Sequence, residues 1–468
     1  MLKRVWFVLL CVFAVSWASG VQAQWRVAES EHFIVYAEQS ERELRNTVGR
    51  LERLHSLMET QFGNNADAPY RKLPIYSVGS ERELKTMFPT IGSNVGGYYS
   101  ANGNNIYAAF RRGMGEHVLY HEYAHHFLYN TSGVRFPSWF NEGFAEFFGA
   151  SDVDTPNKVK IGYAQPHRLA TLNNQRWLPM LNLLSAANRQ YSGQERAMFY
   201  AQSWLLTHYL ITDAQRRAGL DRYLAAVSGG MSETEALQTH LGMTPDELTA
   251  ALRAYLRGRM PYAEMSVPDN DALIQIRELP PSAKDMLLYS VALQYNQPEE
   301  TLTTLMSRVR ADASRYPDDR LAMVTLGRAE LRWGDKAVAE QTLKRALELH
   351  PSDTDALRLM ADLHIERAEP LEGDAKVAEI REAQNYLRRA LEADPTDYRI
   401  YMTLARLRSG SPSYPTENDI ATLTMALTYA PQVTPVRVQL ANALRAAGRQ
   451  EEAERILSVA NASPHIPQ

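Results

Sequence analysis

From Pro317 onward the chain repeats itself, and this repetition limits the fold more than any other feature of the sequence. Leu326, Gly327, Gly334, Ala339, Leu343 and Ala346 recur at identical spacing as Leu440, Ala441, Gly448, Ala453, Leu457 and Ala460. A step of 34 residues carries Pro317 to Pro351 and Leu326 to Met360. Met360-Ala361 and Leu404-Ala405 repeat the start of the unit. Its end recurs in Ala383, Leu387, Ala390 and Pro395, and again in Leu423, Ala426 and Pro431. Small residues at the Gly and Ala positions let two antiparallel helices approach closely, and the prolines end the second helix of each unit. Four units fill 317–468, and Ala283 to Tyr316 reads as a degenerate first one. Two insertions, around Glu369 to Ala378 and Ser411 to Tyr414, are expected between paired helices.

At its defining positions this pattern resembles the tetratricopeptide repeat. The resemblance implies an all-α solenoid of stacked helix pairs whose concave surface takes a protein partner.

The preceding stretch has a different texture. His32 to Tyr36, Pro74 to Val78 and Asn105 to Phe110 read as short strands, with an amphipathic helix from Glu41 to Phe62 and a glycine-rich turn at Gly96-Gly97. Helical stretches follow, so Trp25 to Arg259 is expected to be an α+β domain. Val267 to Asn270 and Pro280-Pro281 mark its end. The expected organisation is a domain at 24–269, a linker with the degenerate repeat at 270–316, and the repeats at 317–468. With 468 residues, 45% of them hydrophobic, each part can bury a core.

The first residues bear on the compartment. Lys3 and Arg4 precede an apolar run from Val5 to Ala18, and Val21-Gln22-Ala23 supplies a small-x-small cleavage pattern. That is the order of a secretory signal, expected at 1–23, which places the protein outside the cytoplasm, in the periplasm, with no membrane span in the mature chain. The only cysteine, Cys11, falls inside this run, so the mature chain has neither disulfides nor thiolate ligands. A net charge of −4 gives no basic excess for nucleic acid.

Four of the twelve histidines lie between His117 and His126, in the run His117-Val118-Leu119-Tyr120-His121-Glu122-Tyr123-Ala124-His125-His126. Residues four apart share a helix face, so His121 and His125 can offer two imidazoles to one ion. Glu122 beside them can act as general base on water at that ion, the HExxH arrangement of zinc hydrolases. A second helix begins at Ser138 and carries Glu142, after a loop long enough to return it to the same site. Three protein ligands and an open position are what a catalytic zinc requires, and only N and O donors are available.

HEYAH followed by WFNEGFAE resembles the gluzincin peptidases, especially their aminopeptidase-like branch. Position by position, this implies a zincin-like fold with His121, His125 and Glu142 as zinc ligands and Glu122 as general base. Glu146, one turn after Glu142, stands where this clan has a carboxylate that orients a ligand histidine, though a solvated helix carboxylate would read the same. Tyr200 stands where the branch has its oxyanion-polarising tyrosine, with Tyr191 and His167 in reserve and plain core packing as the alternative. The chain departs from the aminopeptidases at Asn105 to Phe110, which lacks their amine-holding glutamate, so the resemblance implies an endopeptidase more than an aminopeptidase. This strand is expected to bind an extended peptide along its edge. His117 is expected to pack or to support a ligand, and His126 and the aromatic run Trp139, Phe140, Phe144, Phe147 and Phe148 to be structural. The competing expectation is an inactive peptidase-like domain in a repeat scaffold.

Overall fold

A computed structural model describes residues 24–62, 71–93, 95–131, 136–185, 191–268 and 273–458. The expected signal at 1–23, with Cys11, and the repeat position Ala460 lie outside these residues.

The first half holds β1 (Arg26–Glu29), β2 (Phe33–Ala37), α1 (Glu41–Phe62), β3 (Leu73–Val78), α2 (Glu81–Met87), β4 (Gly97–Ala101) and β5 (Ile106–Arg111). Then come α3 (Glu116–Thr131), α4 (Ser138–Gly149), β6 (Asp152–Thr155), β7 (Lys158–Ile161), α5 (Pro166–Asn174), α6 (Met180–Leu184), α7 (Gly193–Ile211), α8 (Ala214–Ser228), α9 (Glu233–Leu241), α10 (Pro245–Arg257) and β8 (Ala263–Ser266). β9 (Gln275–Glu278) follows. The main sheet has six strands in the order β4-β5-β3-β2-β1-β9, with β2, β3 and β5 parallel and the rest antiparallel. β6, β7 and β8 form a small antiparallel sheet.

Along the central strands every second residue points to one face. Phe33, Val35, Ala37, Ile75 and Ala108 join the core beneath α1 and α3, with Leu44, Leu51, Tyr123 and Phe127. The alternate residues Val27, Tyr76, Val78, Tyr107 and Ala109 face the opposite way and are buried as well. A sheet apolar on both faces needs a cover on each. The second cover comes from α2, through Leu84 and Met87, from α11 (Ala283–Ala292), through Ala283, Leu287 and Val291, and from Leu321 further on.

α11 and α12 (Glu299–Ala313) lead into four helix pairs: α13 (Arg320–Trp333) with α14 (Lys336–Leu349), α15 (Thr354–Ala368) with α16 (Gly373–Ala393), α17 (Tyr398–Arg408) with α18 (Glu417–Tyr429), and α19 (Thr434–Ala446) with α20 (Gln450–Ser458). This is the tetratricopeptide-like arrangement expected from the period. Leu343, Ala346, Met360, Ala361, Ala383, Leu387 and Ala390 are buried between the helices. Of the first insertion, Glu369 to Glu372 join the paired helices as expected, and Gly373 to Ala378 form the opening turns of α16, which runs to 21 residues.

The sequence reading fails at three places. β4 occupies the segment read as a glycine turn and takes the sheet edge, so β5 lies inside, between β4 and β3, with no edge to offer a peptide. β9 crosses the boundary expected at 269 by pairing with β1, so part of the expected linker belongs to the sheet. The repeats also turn part of their first-helix surface onto the sheet instead of leaving it for a partner. Tyr398 donates to the Asn102 carbonyl at 2.6 Å, Arg399 to that of Asn104 at 3.4 Å, and Asn104 to that of Gln294 at 2.6 Å. Arg71, just before β3, lies 3.5 Å from Asp397.

Asp397 is the hub of this contact. Fully buried, it caps α17 through the Arg399 amide at 3.0 Å and pairs with the Arg399 guanidinium at 2.6 Å. Burial alone would raise its pKa, but Arg399 and Arg71 outweigh burial and hold it well below the usual carboxylate range. Asp397→Asn keeps the cap and deletes the charge, leaving Arg399 with Asp355 and Arg71 with Asp394 as their remaining counter-charges. The expected loss is about 3–5 kcal/mol in denaturant unfolding near pH 7. Because the folded pKa is depressed, this stabilisation is complete above the ordinary carboxylate value of about 3.9 and fades as pH falls below it. The gap between native and variant should therefore narrow below about pH 4, and a gap independent of pH would contradict the ion-pair account.

Candidate metal centre

α3 lies across the sheet with Leu119, Tyr123 and Phe127 pointing into the core. The same helix turns His121 and His125 toward α4. Their Nε2 atoms converge to 3.1 Å, and Glu142 Oε2 lies 3.4 Å from the first and 3.6 Å from the second. Around a tetrahedral ion with bonds of about 2.0–2.1 Å, ligand atoms stand about 3.3–3.4 Å apart. The triangle therefore fits zinc in size as well as in donor type. One donor atom from each residue falls within 4.8 Å of the others, the only such metal-sized grouping among the described residues.

Glu142 reaches this position because of the residue after it. α4 crosses α7 at Gly143, where a Cβ would sit 2.1 Å from Thr207 Oγ1 and 2.4 Å from the Ser203 carbonyl oxygen. Any side chain at 143 would separate the helices and draw Glu142 away from the histidines. On the other side of α3, a Cβ at Gly97 would lie 2.6 Å from Val118 Cγ1 and 2.9 Å from Glu122 Cγ. The glycine that hid β4 in the sequence thus gives Glu122 its room.

Around the triangle the remaining groups take distinct places. Glu146 lies 3.4 Å from His121 Nδ1 and is gripped by Arg168 through two hydrogen bonds, of 2.8 and 2.5 Å. That is not a solvated carboxylate, since Glu146 is buried. Burial would lower the His121 pKa, but the Glu142 hydrogen bond and the charges of Glu146 and Glu122 outweigh it and raise it, so the field there favours a cation. Tyr200 faces the site, its ring 6.2 Å from that of His121 with the Arg168 guanidinium 5.3 Å over it. Burial, and then the three carboxylates, push its hydroxyl well above the usual tyrosine value, so it remains a donor. Of the reserves, Tyr191 donates to the Asn182 carbonyl at 2.9 Å and stacks on Phe199, which makes it core. His167 and His117 are exposed at the rim, their rings 6.2 Å apart in a tilted contact, and His117 lines the cleft beside His121. His126 is buried beneath the Tyr99 hydroxyl at 3.2 Å and pulled down to about 3 by burial, a neutral structural group as expected. The five aromatic residues of α4 are buried in the core.

His121, Glu122, Glu146, Arg168 and Tyr200 line a cleft of about 1000 Å³ bounded by β4, α3 and α7, to whose wall the helical half adds Tyr295, Asn296 and Arg332. Tyr295 donates to Ser100 Oγ of β4 at 2.8 Å. Arg168, which no motif spacing marked, is the neighbour of Glu146 and Tyr200 that the sequence hid.

A family described as a protein of unknown function (DUF1570) matches residues 117–229, the part holding α3, α4 and α7. No curated protein matches the chain. Solved structures similar to it include a thermophilic tetratricopeptide protein of Thermus thermophilus, TTC0263, at 16% identity over 38% of this chain and 89% of that one, with a TM-score of 0.34. MamA is similar at 13% identity over 39% of this chain and 94% of that one, with a TM-score of 0.29. Likeness at this level says nothing about activity.

Gly143→Ala should lower stability by about 1–3 kcal/mol through overpacking, read as a drop in melting temperature. A melting temperature equal to the native one would mean that α4 and α7 can part freely.

Proposed function

We propose that this chain is a zinc peptidase of gluzincin type with a zincin-like catalytic half, working in the periplasm or another exported location. The observation that carries the reading is the convergence of His121, His125 and Glu142 to zinc-ligand spacing, with Glu122 in the same cleft. Zinc held there would supply Lewis acidity, activating water near neutral pH and polarising a carbonyl. Glu122 would take the proton from the attacking water and pass it to the leaving amine. Tyr200 would donate its hydroxyl proton in a hydrogen bond to the developing oxyanion, and Arg168 holds Glu146 so that His121 keeps its orientation. β4, the free edge beside these groups, can align an extended peptide by backbone pairing. Its sequence Gly-Tyr-Tyr-Ser-Ala has no carboxylate to hold a substrate's amino terminus, which supports endopeptidase over aminopeptidase action. The export assignment rests on Lys3, Arg4 and the apolar run after them.

A second reading keeps the repeats and drops the chemistry: a protein-interaction scaffold with an inactive peptidase-like half. The repeat architecture favours it, because stacked helix pairs are binding surfaces. In either reading a protein partner would use the surface that the sheet does not cover.

Glu122→Gln separates the two. Under the peptidase reading the purified native protein carries one zinc per chain and cuts an unstructured protein. The variant keeps its zinc and loses about 10²–10⁴-fold in rate, whereas His121→Ala loses the metal itself. Absence of cleavage by the zinc-loaded native protein, with full function of the variant in cells, would establish the scaffold instead. Tyr200→Phe should reduce kcat by about 10²-fold with little change in KM. An unaltered kcat would return Tyr200 to packing.

A further inference from the structure

The cleft carries both signs of charge. At the metal triangle its walls are acidic, through Glu122 and Glu146, and Arg168 is committed to Glu146. The cleft wall carries two further arginines, Arg196 and Arg332. Arg196 lies one turn before Tyr200 on α7, a spacing that puts both on the same helix face. Arg332 comes from the end of α13 and lines the same cleft. Its guanidinium lies 4.8 Å over the Trp333 ring and donates to Asn296 Oδ1 at 2.7 Å and to the Leu293 carbonyl at 3.4 Å. These contacts fix its direction and supply no negative charge. Arg332 is exposed to solvent at the cleft wall, where a substrate carboxylate can reach it. Among the described residues, neither Arg196 nor Arg332 has a carboxylate within the 4.0 Å of an ion pair. Most arginines of the helical half do have one, Arg310 with Glu330 and Arg399 with Asp397 among them.

We propose that the cleft selects acidic peptides, whose carboxylates are received by Arg196 and Arg332 at positions flanking the bond to be cut. The proposal rests on the peptidase reading and adds its substrate class. Arg168 is already taken up by Glu146, so the positive charge left for a substrate carboxylate in this wall is that of Arg196 and Arg332. A guanidinium pairs with a carboxylate in a partly desolvated groove more strongly than at an open surface. Because Arg332 belongs to the repeats, selection of the substrate is shared between the two halves of the chain.

Two fluorogenic peptides of equal length test this, one with Asp and Glu flanking the central bond and the other with Asn and Gln in their place. The native protein should favour the acidic peptide by about tenfold or more in kcat/KM. The Arg196→Gln, Arg332→Gln double variant should lose most of that preference through KM, with a far smaller loss on the neutral peptide, and added salt should erode the native preference. Fluorescence anisotropy on Glu122→Gln protein, with and without the arginine substitutions, gives the same comparison for binding alone. Cleavage without preference, or an equal loss on both peptides, overturns the proposal and leaves the peptidase reading standing. Arginine-dependent binding of the acidic peptide with no cleavage by the native protein does the reverse. Equal binding of the two peptides overturns the proposal whether or not either is cut.

Discussion

A sheet with apolar side chains on both faces cannot rest with one of them in water, and much of this molecule follows from the two ways its faces are covered. On one side α1 and α3 lie over Phe33, Val35, Ile75 and Ala108. Because α3 must press Leu119, Tyr123 and Phe127 into that layer, its opposite stripe, carrying His121 and His125, is turned outward to α4. On the other side Val27, Tyr76, Val78 and Tyr107 are covered by α2 and by helices from beyond residue 280. The position of the metal-sized triangle and the docking of the repeats are thus two results of the same demand for burial.

The cover on the second face is held by charge as well as by apolar contact. Asp355 lies 3.3 Å from Arg328 and 3.2 Å from Arg399, which also holds Asp397, and Asp397 in turn meets Arg71 from the sheet half. A network of this kind is costly to desolvate, and removing one member leaves others buried with fewer counter-charges. Its contribution lies in fixing one relative placement of helices and sheet, and that placement brings Tyr295, Asn296 and Arg332 to the wall of the cleft.

Much of the site could be read from local spacing. The four-residue step between His121 and His125 is a property of any helix, and Glu142 follows in a segment too apolar to be anything but a buried helix. The repeats announced themselves by period. What stayed hidden depended on contacts between distant segments. Gly97 reads as a turn residue until Val118 and Glu122 are seen pressing on it, and Gly143 reads as a helix defect until α7 lies against it. β9 is four residues, mostly polar, and nothing local says that it extends a sheet begun some 250 residues earlier. Arg168 sits in an unremarkable helix start, and Asp355, Asp397 and Arg399 look like solvated helix charges until the sheet is set against them.

The hairpin that joins β4 to β5 is held from two directions, by Gln294 on the side of α11 and by Tyr398 and Arg399 at the start of α17. An open helical solenoid can gain or lose units with little consequence, because each unit answers only to its neighbours. Here the stretch from α11 to α17 is a spacer of set length between two fastenings on one hairpin. Inserting or deleting a helix pair inside it would move one fastening by the width of a repeat while the other stayed in place. The size of this part of the array is therefore tied to the width of the sheet, and tolerance for added units is confined to the far end, beyond α20.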